Sequence, residues 1–201
     1  MKIAVYSGSF NPLHIGHLAI MKYMTEEASF DMVYLIVSPK NPLKDGISSD
    51  SGRERYMAAV EAVERRFLRS GQSAFGRNDS KAVETKVKVD DIELNMPEPH
   101  YTIRTLDALK EREPDNRFTL VMGADNLADI RRWRDYTRIL KEFGVAVFPR
   151  EGHDLTEIKQ DLLKEDPAYM IQILDAEMVD ISSTQIRNAI AEGEDISKYL
   201  M

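Results

Sequence analysis

Short apolar runs alternate along the chain with longer stretches of helical spacing. The runs at 2–7, 32–37, 118–122, 145–148 and 170–174 are brief and largely apolar, and they predict buried strands. Residues 87–94 also predict a strand, but charged residues alternate there, so one face is expected to be wet. Helical spacing covers 14–27, 53–69, 102–112, 126–143, 155–165 and 184–192. In the second of these, Tyr56, Val60, Val63 and Phe67 fall on one face. The fourth is expected to break near Asp135, and Gly193 to end the last. Residues 38–52 and 70–80, rich in glycine, serine and other polar residues, read as loops. Continuous apolar strands separated by helices predict an α/β fold, a parallel sheet with helices on both faces. Ligands of such sheets bind at the carboxyl ends of the strands, where the strand order reverses.

Composition narrows the picture. The chain has 201 residues, 43% hydrophobic and 30% charged, which fits one soluble domain over 1–201 with a full core. It has no cysteine, so thiolate metal sites, disulfides and cysteine nucleophiles are excluded, and a reducing, cytoplasmic setting is expected. No run reaches the ~20 apolar residues of a membrane helix, and no signal segment is read at the N-terminus. A net charge of -7 argues against a general nucleic-acid binder. Small anions remain open as ligands, provided that basic groups converge locally.

One stretch supplies such groups: Gly8-Ser9-Phe10-Asn11-Pro12-Leu13-His14-Ile15-Gly16-His17, between the first strand and the first helix. Gly8 permits close approach of a ligand to the backbone. Asn11 is the expected N-cap and Pro12 the expected first helical residue. His14 and His17 then share a helix face. Donor or cationic side chains at the positive end of a helix dipole conflict with its preference for carboxylates. A bound anion resolves the conflict. A zinc site is disfavoured, because only His100 and His153 remain as further histidines. Ile181-Ser182-Ser183-Thr184-Gln185-Ile186-Arg187 repeats the pattern at the start of the last helix. Hydroxyls, free backbone N–H groups and a guanidinium make a polyphosphate clamp. A capped helix whose Arg187 pairs with Asp180 is the alternative.

Both motifs, in this order and at the two ends of the chain, resemble those of the nucleotidyltransferase superfamily. Tyr101-Thr102-Ile103-x-Thr105-Leu106, Gly123-Ala124-Asp125 with Trp133 downstream, and Pro149-Arg150-x-Gly152 are similar to the bacterial nicotinate-nucleotide adenylyltransferase family. The chain differs in having Asn11 where many members have aspartate, and Asn41-Pro42-Leu43-Lys44 where a Pro-Pro-His-Lys loop is common. The resemblance implies a Rossmann-like fold, ATP and nicotinate mononucleotide as substrates, deamido-NAD and pyrophosphate as products, and a Mg2+ ion bound mainly through substrate phosphates. It also implies roles. His17 donates to the α-phosphate, and His14 and Arg187 hold phosphates alongside it. Gly8, Ser9, Phe10, Lys44, Gly123, Asp125, Ser183 and Thr184 bind ATP, with Asp125 on the ribose. Thr102, Trp133 and Arg150 bind the acceptor nucleotide, Trp133 by stacking. From the residues alone, Asp125 and Thr102 read equally as helix caps, Trp133 as core packing and Arg150 as a solvated side chain. The rival functions are the same chemistry on nicotinamide mononucleotide or phosphopantetheine, and a nucleotide sensor without turnover. A homo-oligomer is left open.

Overall fold

The computed structural model describes residues 1–39, 52–68, 86–176 and 183–201. Lys44, the 70–80 loop, Asp180, Ile181 and Ser182 lie outside the described residues. Six strands form one parallel sheet: β1 (Lys2–Gly8), β2 (Met32–Val37), β3 (Val87–Asp90), β4 (Arg117–Gly123), β5 (Val145–Phe148) and β6 (Ile171–Ile173). Their order is β3-β2-β1-β4-β5-β6. The chain starts in the middle, winds outward to β3, then returns to β4 and winds the other way. The order therefore reverses between β1 and β4, which register Val5 on Leu120 and Tyr6 on Val121. A crevice is expected at the carboxyl end of this pair.

Helices cover both faces, joining the strands: α1 (Ile15–Glu26), α2 (Gly52–Val63), α3 (Thr102–Arg112), α4 (Ala124–Ala128), α5 (Tyr136–Arg138), α6 (Leu155–Glu165) and α7 (Ser183–Ala191). Alternation along the central strands splits the core in two. Ile3, Val5, Leu120 and Met122 face one cluster, with Leu106 and Leu109 of α3 and Leu127 of α4. Ala4, Tyr6, Val121 and Ala146 face the other, with Met21 and Met24 of α1 and Ala59 and Val63 of α2. Both faces of the sheet are thus buried, which is why the strand sequences read as continuous apolar runs.

Several boundaries depart from the sequence reading. The first helix begins at Ile15, with His14 as N-cap and a cis Asn11–Pro12 bond before it. Asn11 does not cap it, because the chain first drops Leu13 into the core. Residues 87–94 are strand only to Asp90. The Asp90 carboxylate accepts from the Ile92 N–H (3.1 Å), and a 3-10 turn over Ile92–Asn95 follows. The 126–143 stretch is α4, a 3-10 turn over Ile130–Arg132, α5 and a wider turn over Ile139–Phe143. Its break is where expected: Asp135 sits at φ 51. On α2 the innermost residues are Arg55, Ala59 and Val63, whereas Tyr56 and Val60 are only half-buried.

Candidate active site

The first motif turns off the carboxyl end of β1. Phe10 adopts φ 44, a left-handed backbone that side chains other than glycine rarely take. Its ring is buried edge-on to Tyr6, with centroids 5.4 Å apart, and to His17, at 5.1 Å. A Cβ on Gly8 would stand 3.1 Å from that ring, so the turn needs glycine for the Phe10 ring rather than for a positive φ.

The two histidines meet, though not as two residues of one helical face. His14 is the N-cap and His17 the third helical residue, and their rings stack at 3.6 Å. The His14 backbone N–H donates to Nδ1 of His17 (3.2 Å). An Nδ1 that accepts carries no proton, so neutral His17 is protonated at Nε2 and offers that N–H as a donor. His14 is buried, and its Nδ1 has no hydrogen-bond partner among the described residues. Burial and the nearby Arg150 guanidinium push the His14 imidazole down to about 4. Burial, then His14 and Arg150, hold His17 well below the ordinary imidazole range. Both rings are therefore neutral at pH 7 in the protein alone. Leu200 pairs with His14 in an isolated antiparallel bridge, fixing its backbone from the other side.

The second motif comes to the first. Arg187 donates to the Asn11 carbonyl (2.8 Å) and to the Thr184 hydroxyl (2.9 Å). Ser183, the first residue of α7, donates to the Pro12 carbonyl (3.3 Å). Arg187 lies one turn further along the helix than its first turn and reaches back over Thr184. Imidazoles and guanidinium share one turn of chain.

Two further strand ends contribute. Gly123 ends β4 and precedes α4, and Asp125 lies in the first turn of that helix, exposed. A Cβ on Gly123 would collide with the Asp125 carboxylate, so glycine lets that carboxylate fold back over the strand end. Arg150 follows β5 and lies over the Phe148 ring, 5.3 Å from its centroid. It makes no hydrogen bond or ion pair among the described residues, and its field reaches Tyr6, His14 and His17. The structure thus brings Arg150 to the histidine pair. Thr102 opens α3, and α3 leads from the β3 side back into β4, so Thr102 also sits at the carboxyl edge. Trp133 is half-buried against the core cluster that also holds Tyr101.

Sequence reasoning missed Arg55 and Glu93. Arg55 is buried on α2, and Glu93 is buried in the turn after β3. Arg55 donates to the carbonyls of Ser9 (2.7 Å), Ser38 (2.8 Å) and Pro39 (2.8 Å). The Ser38 hydroxyl donates to Glu93 (2.6 Å), and so does the Thr105 hydroxyl (2.7 Å). The available signal was the spacing of Arg55 with Ala59 and Val63, one helical stripe.

The arrangement collects imidazole, guanidinium and hydroxyl groups around one strand-order reversal, a set able to hold an anion. Among the described residues no group of three His, Cys, Asp or Glu side chains could hold a metal ion. No helix among them is long and apolar enough to cross a membrane.

The cytidylyltransferase-like family model matches residues 5–189. The "Probable nicotinate-nucleotide adenylyltransferase" of Flavobacterium johnsoniae is 38% identical over 200 residues, 100% of this chain and 92% of the relative. The protein of the same name from Porphyromonas gingivalis is 34% identical, over 100% of this chain and 89% of that one. A solved structure, Plasmodium falciparum nicotinic acid mononucleotide adenylyltransferase complexed with NaAD, shares the fold with a TM-score of 0.73 at 20% identity, covering 99% of this chain and 90% of that one.

Proposed function

This chain belongs to the cytidylyltransferase-like family, among the nicotinate-nucleotide adenylyltransferases, and from that premise we propose that it transfers the adenylyl group of ATP to nicotinate mononucleotide, giving deamido-NAD and pyrophosphate for NAD biosynthesis. The observation that carries the site assignment is the bond from Arg187 to the Asn11 carbonyl, which joins two motifs 176 residues apart into one phosphate-binding turn.

The chemistry follows from the reactants. A phosphate monoester has a second pKa of about 6 and is largely ionised at neutral pH. The nucleophile needs no general base. The task is to align two mutually repelling anions and to neutralise the charge that builds on the transferring and leaving phosphates. His17 is assigned to the α-phosphate, donating from Nε2. The stacked His14 and the guanidiniums of Arg187 and Arg150 take the neighbouring phosphate oxygens. Ser183 and Thr184 add hydroxyls, and Ser9 and Phe10 line the turn. Lys44 is retained as a phosphate contact. Asp125 is assigned to the ATP ribose, close to the backbone at Gly123. Thr102 and Trp133 are assigned to the acceptor. Arg150 now has two assignments, acceptor and phosphate, because it lies beside the histidine pair.

Magnesium is the proposed ion. The donors at the turn are imidazoles, guanidiniums and hydroxyls, a set that suits phosphate oxygens rather than a hard cation. The residues here would hold the triphosphate, and a Mg2+ bound with it would supply charge neutralisation. The proposal treats residues 1–201 as one nucleotidyltransferase domain acting on small molecules in the cytoplasm.

The test is incubation of the purified protein with ATP, Mg2+ and each acceptor in turn, following pyrophosphate. Release with nicotinate mononucleotide well above nicotinamide mononucleotide and phosphopantetheine is expected. Faster turnover of either rival acceptor reassigns the reaction, and ATP binding without pyrophosphate makes the chain a sensor.

A further inference from the structure

We propose that Arg55 is a positioning residue of this site, acting through the Ser9 carbonyl and the Phe10 ring to orient His17. Its kinetic consequences rest on the function proposed above; the orientation of His17 does not.

A charged residue on a helix is ordinarily solvated, and an arginine is seldom buried unless partnered. Arg55 is 6% exposed, in the stripe that Ala59 and Val63 continue into the core. Its guanidinium donates to main chain: Nη1 to Ser9 and Ser38, Nη2 to Pro39. Those carbonyls belong to the exits of two neighbouring strands, β1 and β2. The planar fork holds several acceptors in fixed directions, which a flexible lysine ammonium does less well.

Ser9 is where this matters. The Ser9–Phe10 peptide is a rigid plane, so fixing its oxygen fixes the plane from which Phe10 departs. Phe10 departs at φ 44, and such a backbone persists only where the surroundings over-determine it. The Phe10 ring then stands edge-on to His17 at 5.1 Å, with 83° between the planes. The chain of contact runs from Arg55 to Ser9, Phe10 and His17. Ser38 is held twice, its carbonyl by Arg55 and its hydroxyl by Glu93. Glu93 is held by Thr105 of α3, three residues beyond Thr102. One buried network therefore ties the phosphate turn to the helix that opens with the acceptor-side threonine.

The test uses the full chain with Arg55→Met and Arg55→Lys, with folding checked by circular dichroism and thermal melting. Imidazole 1H–13C spectra of the protein without substrate read the orientation of His17 directly. In Arg55→Met the His17 cross-peak is expected to shift or broaden, because the neighbouring Phe10 ring current is no longer fixed. Turnover is expected to fall about 10- to 100-fold, the scale of an ångström-sized misplacement, with the ATP KM within about threefold. Arg55→Lys recovers part of both. Added to His17→Ala, Arg55→Met costs no further turnover. An unchanged His17 cross-peak in a folded Arg55→Met protein overturns the proposal, as does an equal loss of turnover with and without His17. Should Arg55→Met not fold, Arg55→Lys is read in the same ways. Should the protein turn over no acceptor, the cross-peak alone decides.

Discussion

At His17 the two ring nitrogens have separate tasks. Nδ1 accepts from the His14 backbone, which leaves Nε2–H for a ligand. Removing such a donor from developing charge typically costs ~10²- to 10³-fold in kcat. His17→Ala is therefore expected to lower turnover by that order and to leave the ATP KM nearly unchanged in steady-state assays. The stacked rings also set a pH response. Both imidazoles are neutral in the protein alone, and phosphate anions placed beside them favour the charged form. Protons should be taken up when ATP binds at pH 7, seen by calorimetry in buffers of different ionisation enthalpy. No uptake would mean that the rings stay neutral under the phosphates. The stability effect has the opposite dependence. His14 is held at about 4 when folded, below its unfolded value, so the unfolded chain binds the extra proton between the two. Stability is full above the unfolded value, is lost as pH falls toward about 4, and the loss is roughly 3 kcal/mol at most. His14→Gln should reduce the slope of the denaturant midpoint against pH over that window, with His17 supplying what remains. Asp125 offers a separate reading: a methyl added by Gly123→Ala displaces its carboxylate and should raise the ATP KM more than it lowers kcat.

Among the elements, those with sharp chemical edges were legible. β5 (Val145–Phe148), α3 (Thr102–Arg112) and α6 (Leu155–Glu165) lie at the boundaries read from sequence. Each is a run whose periodicity starts and stops at turn residues. For α6 the start is a cap: the Asp154 carboxylate accepts from the Thr156 (2.9 Å) and Glu157 (3.1 Å) N–H groups. Asp154→Ala should cost about 1 kcal/mol, a fall of roughly 2–4 °C in melting temperature, and leave turnover within about twofold. The misread edges were decided by distant partners. Leu13 had to enter the core before α1 could begin, and Asp90 and Glu93 bent the chain into a turn where alternation read as strand. The place of Arg55 on the inner stripe could be read from its spacing with Ala59 and Val63, but its partners could not. Its acceptors are carbonyls of Ser9, Ser38 and Pro39, and carbonyls leave no mark in a sequence.

Over the whole molecule, the sheet order places the ends of β1, β4 and β5 side by side, and α7 closes over the first of them. The meeting of the two motifs was legible, because their local conflicts with helix preferences pointed to one shared remedy. Their partners, Asn11 O and Pro12 O, were not. If the bound triphosphate bridges α7 and the β1 turn, ATP should stabilise the entire fold. At 100 times its Kd this is about 2.7 kcal/mol, or roughly 5–10 °C for a chain of this size. Arg187→Ala should lose most of that ATP-dependent gain in thermal melts while melting near the parent temperature without nucleotide.

The bond between Arg187 and Asn11 joins residues 176 positions apart. During synthesis the imidazole turn leaves the ribosome 176 residues ahead of its guanidinium partner. Under the proposed assignment, a chain made only as far as α6 (Leu155–Glu165) holds the imidazole half of the ATP site without its guanidinium half.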